Sequence, residues 1–135
     1  LIYPTLIHSS ATIGNCLPAN LKAVKGTVLA AGSRITNNVS IGDFSFLGVN
    51  SVVGHDCIIE AYVSLMPGAA VSGNVTICEG SYIGCNAAIR QGTPTQKMLI
   101  GKNVTIGMGA VVLQDVPEDH IASGVPAISY HKPII

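Results

Sequence analysis

Every sixth residue from Ile35 to Ile89 is aliphatic: Ile35, Ile41, Leu47, Val53, Ile59, Leu65, Val71, Ile77, Ile83 and Ile89. Two positions before each stands a small or β-branched residue, among them Ser33, Val39, Ser51, Cys57, Ala69 and Ala87. Glycine often follows directly, as at Gly42, Gly48, Gly54 and Gly84. A helix repeats its faces at about 3.6 residues and a strand at 2, so neither yields an unbroken six. A six-residue repeat predicts very short strands, each ended by a turn, and three of them close one triangular coil of a β-helix. Residues eighteen apart then lie above one another. Ile35, Val53, Val71 and Ile89 form one inner column, Ile41, Ile59 and Ile77 a second, and Leu47, Leu65 and Ile83 a third. Coils stack as parallel ladders at about 4.8 Å. Asn37, Asn38, Gly73, Asn74 and Asn86 fall at corners, where they are expected to supply left-handed backbone. A β-sandwich is disfavoured, because its strands vary in length and would scramble the register.

The pattern breaks twice. Upstream, Ile7 and Ile13 keep the spacing of six but not the frame of Leu29, so an irregular segment over 15–25 must absorb the mismatch. Downstream, the expected aliphatic at position 95 is Thr95, and the period resumes at Ile100, Ile106 and Val112. The polar stretch 90–97 therefore reads as a loop extruded from the coil, five residues longer than the frame requires. Such loops often carry function. After Val112 the chain leaves the repeat, and 114–135 reads as a short cap, with apolar Ile134 and Ile135 expected to cover the open end of the prism.

Composition narrows the function. The 135 residues form a single all-β domain, 1–135, with 48% hydrophobic and only 10% charged residues. No apolar run approaches a membrane span, so the excess hydrophobicity is assigned to the prism interior and to flat faces that bury against other subunits. The formal net charge is zero and there is no basic cluster, which disfavours nucleic acid and anionic membranes as partners. Cys16, Cys57, Cys78 and Cys85 lack paired spacing, and there is no signal peptide, so a reduced, cytoplasmic protein is expected.

One histidine, His55, lies within the regular repeats. It follows inward Val53 by two positions, at a corner, and its ring should point outward. Gly73, eighteen residues on, brings a backbone amide one coil above it. An imidazole beside an exposed N–H is the minimal arrangement for acyl transfer: the ring takes the acceptor's proton and the amide receives the developing oxyanion. Asp56 is placed to orient the imidazole, because at a turn adjacent side chains need not diverge. A metal enzyme of this architecture needs three histidines on zinc, which one histidine in the repeats does not supply, so no metal site is expected. Threonines form no regular columns, which disfavours an ice-binding surface.

Hexads such as Val39-Ser40-Ile41-Gly42-Asp43 and Val75-Thr76-Ile77-Cys78-Glu79-Gly80, with the exit Gln114-Asp115-Val116-Pro117 and Gly124-Val125-Pro126-Ala127, resemble the hexapeptide-repeat acyltransferases over nearly the whole chain. That resemblance implies a left-handed parallel β-helix. More narrowly, Gly54-His55-Asp56-Cys57-Ile58-Ile59, Pro67-Gly68-Ala69 and Ser72-Gly73-Asn74-Val75 resemble the sugar O- and N-acetyltransferases of sialic acid and bacillosamine biosynthesis. The resemblance implies His55 as general base with acidic Asp56 after it, and Gly73 as the amide at the acetyl group. It implies acetyl-CoA as acyl donor in a groove between subunits of a homotrimer, lined by Cys85 and Met108 through their backbones. It further implies transfer to an amine or hydroxyl of a small acceptor, a sugar or nucleotide sugar. Two departures stand out. Where those enzymes carry a second histidine nine residues after the first, against the thioester, this chain has Ser64. They also carry an N-terminal nucleotide-binding α/β domain, whereas this chain starts almost directly at the β-helix, so either that domain was removed or the acceptor is a different and smaller one. A loop pairing of Arg90 and Lys97 with CoA phosphates is a further expectation. The alternatives are a serine or xenobiotic acetyltransferase of the same fold, and a non-catalytic trimeric scaffold.

Overall fold

The computed structural model describes residues 1–14 and 24–133. The expected irregular segment lies mostly outside the described residues, as do Cys16 and the tail Ile134–Ile135. Leu29 and the ten aliphatics of the repeat are all at most 4% exposed. They sit on two- and three-residue strands that build three walls. Wall A runs through Leu6–Ile7, Val28–Leu29, Phe46–Leu47, Ser64–Leu65, Tyr82–Ile83 and Thr105–Ile106 into the cap. Wall B holds Thr12–Ile13, Arg34–Ile35, Val52–Val53, Ala70–Val71, Ala88–Ile89 and Val111–Val112, and wall C holds Ser40–Ile41, Ile58–Ile59, Val75–Ile77 and Met98–Ile100.

The columns are those the spacing predicts. Ile35 pairs with Val53, Val53 with Val71 and Val71 with Ile89 on wall B, and Ile41, Ile59 and Ile77 stack on wall C. Both frame breaks are absorbed without disturbing a column. Ile7 pairs with Leu29 across a separation of 22 residues, and Ile77 pairs with Ile100 across 23. In each strand pair one residue faces the core and its neighbour faces out, as Ile59 at 1% and Ile58 at 38% exposure illustrate.

The corners differ in detail from the sequence expectation. Asn38, Asn74 and Asn86 adopt φ values of 56°, 57° and 56°. Asn37 and Gly73 do not; each precedes the left-handed residue of its turn. Glycines such as Gly54 serve a different need. A Cβ there would stand 2.6 Å from the backbone nitrogen of Gly73 in the next coil, so glycine is dictated by close approach. At the corner between walls C and A the left-handed positions include Phe44 and Tyr62, bulky residues that rarely adopt this backbone. Their rings stack at 5.4 Å with an interplanar angle of 7°, and Tyr3 adds an edge contact to Phe44 at 5.3 Å. Stacking of this kind offsets part of the backbone cost.

The described cap tops all three columns. Val116 bridges to Ile100, Ala122 lies over Ile106, and the backbone of Ala127 bonds to Val111 at 2.8 Å. His120–Ser123 then pairs antiparallel with Ile128–His131, ending the parallel ladder.

The small buried residues before each inner aliphatic are not equally satisfied. Ser45 and Ser81 donate to the carbonyls of Glu60 and Gly101 at 3.0 and 2.7 Å. Ser33 and Ser51 are fully buried, and among the described residues their hydroxyls have no partner. Above them in the same stack stand Ala69 and Ala87. A buried unpaired hydroxyl costs about 1–3 kcal/mol. Ser51→Ala is therefore expected to stabilise the fold by about 1 kcal/mol, read as a rise in Tm of a few degrees.

Candidate active site

His55 and Asp56 occupy the corner between walls B and C, just after Val52–Val53. Asp56 takes φ 59°, a left-handed turn that swings its carboxylate back toward its neighbour. Nδ1 of His55 lies 2.7 Å from Oδ2 of Asp56. A carboxylate only accepts, so Nδ1 carries the proton, and in the neutral ring Nε2 keeps its lone pair. From the coil below, the amide of Asn38 donates to Oδ1 of Asp56 at 2.5 Å. The Asn38 bond, followed by that of His55, holds the Asp56 carboxyl below the usual aspartate range, with weaker help from the charge of Lys97. Asp56 thus favours the fold above the usual aspartate range, and this contribution is lost only as pH falls through the lowered value.

The free nitrogen faces Gly73. A Cβ built on Gly73 would stand 2.5 Å from Nε2, so the imidazole rests directly on the bare backbone of the next coil. Among the described residues the N–H of Gly73 has no acceptor, and Asn74 N donates to His55 O at 2.8 Å, fixing the two levels against each other. His55, Asp56 and Gly73 therefore meet as the sequence predicts.

Cys85 and Met108 meet as well, but elsewhere. Both lie at the corner between walls A and B, where Gly109 N bonds to Cys85 O at 2.8 Å and a Cβ on Gly84 would stand 2.6 Å from Met108 N. The backbone N–H groups of Cys85 and Met108 have no acceptor among the described residues, so both are available to a ligand's carbonyls. Ser64 is on wall A, paired with Phe46 and Tyr82. Wall B separates the Cys85–Met108 pair from His55, and Ser64 starts a strand on a different wall.

Cys57 is buried two residues beyond His55, and its thiol donates to Ser72 O at 3.1 Å. Burial pushes its pKa up. A thiol so held is a poor nucleophile. Among the described residues no group of three or more His, Cys, Asp or Glu could hold a metal ion. No described helix is long and apolar enough to cross a membrane.

The ammonium of Lys97, expected near a CoA phosphate, donates to the backbone carbonyl of Asp56. Nothing in a periodic pattern signals that contact, because the residues are 41 apart and Lys97 sits outside the frame.

No family model matches the chain. It is 41% identical over 102 residues to a GDP-perosamine N-acetyltransferase of Escherichia coli O157:H7, a match covering 76% of this chain and 46% of that protein. Among solved structures, WeeI from Acinetobacter baumannii AYE is 38% identical with a TM-score of 0.77, over 94% of this chain and 55% of that one. The acetyltransferase domain of PglB from Neisseria gonorrhoeae FA1090, in complex with acetyl coenzyme A, is 32% identical with a TM-score of 0.81, over 99% and 59%. The chain thus spans about half the length of the relatives it matches. With its hexad repeat wound into the same coil as these proteins, the chain folds as a left-handed parallel β-helix and is similar in sequence to these acetyltransferases.

Proposed function

We propose that this protein transfers the acetyl group of acetyl-CoA to the amine of a small acceptor, an amino sugar carried on a nucleotide. The observation that carries this reading is the 2.7 Å contact of His55 Nδ1 with Asp56, which leaves Nε2 against Gly73. His55 takes the proton of the acceptor amine as the amine attacks the thioester carbonyl and the new C–N bond forms. Gly73 N–H receives the developing oxyanion. As the C–S bond breaks, the imidazolium returns its proton to the departing thiolate, so His55 ends as it began. No acyl-enzyme is needed, in keeping with the hydrogen-bonded, buried Cys57.

The donor is supported by the acetyl coenzyme A complex of the PglB domain, and the sugar acceptor by the perosamine enzyme. Cys85 and Met108 would hold the donor's pantetheine amides through their free N–H groups. These lie on a different prism edge from His55, so a complete site is best assembled between copies. One chain presents the His55 edge and its neighbour the Cys85–Met108 edge, which supports a homotrimer about a threefold axis. In that arrangement Ser64 reaches a thioester only from the neighbouring copy. The test is a screen of acceptors with acetyl-CoA, following release of free thiol. Turnover is expected with nucleotide-linked amino sugars. Turnover with free serine alone would favour a serine acetyltransferase, and no CoA binding at millimolar concentration would leave a scaffold.

A further inference from the structure

We propose that Lys97 is a positioning residue for the His55–Asp56 pair, and that the 90–97 loop delivers it. The inference rests on the general-base reading of His55. The loop is fastened to the very corner that Gly73 occupies. Gly92 N donates to Gly73 O at 3.0 Å and Met98 N to Asn74 O at 3.0 Å. Between these anchors Thr93 and Gln96 bond each other's backbones at 2.9 and 3.2 Å, and the Thr93 hydroxyl accepts again from Gln96 N at 3.0 Å. The five extra residues are thus a closed turn pinned at both ends.

From there the side chain of Lys97 passes the level of Asn74 and ends on Asp56, two coils below its own. The carbonyl it meets has no backbone donor among the described residues. Three further links converge on the pair. Asn37 O accepts from Asp56 N at 3.2 Å, Asn38 holds the carboxylate, and Asn74 N holds His55 O. Asp56 is the one acidic residue in a left-handed stack whose levels above and below are asparagines, Asn38 and Asn74. A carbonyl free to rotate would let that turn relax and carry the carboxylate away from Nδ1. The ammonium closes this remaining freedom, so Nδ1 keeps its proton toward Asp56 and Nε2 stays against Gly73. The titratable groups at this corner are His55, Asp56, Cys57 and Lys97.

The experiment compares Lys97→Met and Lys97→Arg with the unaltered protein, recording imidazole nitrogen resonances of His55 alongside kinetics. The unaltered protein is expected to show one tautomer, protonated at Nδ1. Lys97→Met should shift His55 toward a tautomer mixture and lower kcat roughly ten- to a hundredfold, with KM for acetyl-CoA within about twofold. Lys97→Arg should restore most of both. An unchanged His55 signature in Lys97→Met would overturn the proposal, as would a defect confined to KM for acetyl-CoA, which would return Lys97 to the donor. A disturbed tautomer in Lys97→Met, combined with full activity in His55→Ala, would uphold positioning while rejecting the base.

Discussion

His55→Ala is expected to lower kcat by roughly 10²–10⁴, the usual cost of removing a placed general base. The fold should not suffer, because the ring projects from a corner with 53% of its side chain exposed. KM for acetyl-CoA should barely change, since in the proposed mechanism the imidazole meets the acceptor's proton and not the body of the donor. Two companions sharpen the result. Asp56→Asn should cost less, because an amide oxygen still accepts from Nδ1. Gly73→Ala should cost roughly 10²-fold with the coil intact: its backbone is not left-handed, and the three atoms nearest the added Cβ all belong to the imidazole, Nε2 at 2.5 Å. Steady-state kinetics on a productive acceptor, with circular dichroism as the control, provide the measurement. If His55→Ala keeps the original rate, another group must take the proton.

The second large effect is on folding. Ile59 is 1% exposed and stacks between Ile41 and Ile77 in the middle of a column. An unpaired charge there costs several kcal/mol, a large part of the 5–15 kcal/mol about which a domain is stable. Ile59→Asp should therefore leave no cooperative thermal transition. Ile58→Asp, one residue away and 38% exposed, should retain the β signature in circular dichroism. Equal behaviour of the two variants would contradict the register.

The columns were legible because one rule, small residue then aliphatic every six positions, is imposed by a narrow interior at each turn of the chain. The pairing of His55 with Gly73 followed from the same arithmetic, since eighteen residues make one coil. What escaped was whatever does not repeat. Phe44 and Tyr62 hold left-handed turns through ring stacking, which a propensity for asparagine and glycine cannot foresee. Lys97 finds Asp56 only because an out-of-frame loop folds back across two coils. The position of Ser64 on wall A, between Phe46 and Tyr82, could be counted from the sequence.

Coil stacking also turns the prism into a ruler. Each level adds about 4.8 Å along the axis, so the height of Met108 above Gly73 is set by the strands wound between them: Val75–Ile77, Tyr82–Ile83, Ala88–Ile89, Met98–Ile100 and Thr105–Ile106. Adding a whole coil between them would lengthen the span by one such step, enough to draw a bound chain out of reach of its anchor. Adding residues at a corner changes nothing along the axis: Ile77 and Ile100 remain paired directly despite the extra loop between them. Evolution can therefore decorate the edges of this site without retuning its length, while any change in length must come in units of a full turn.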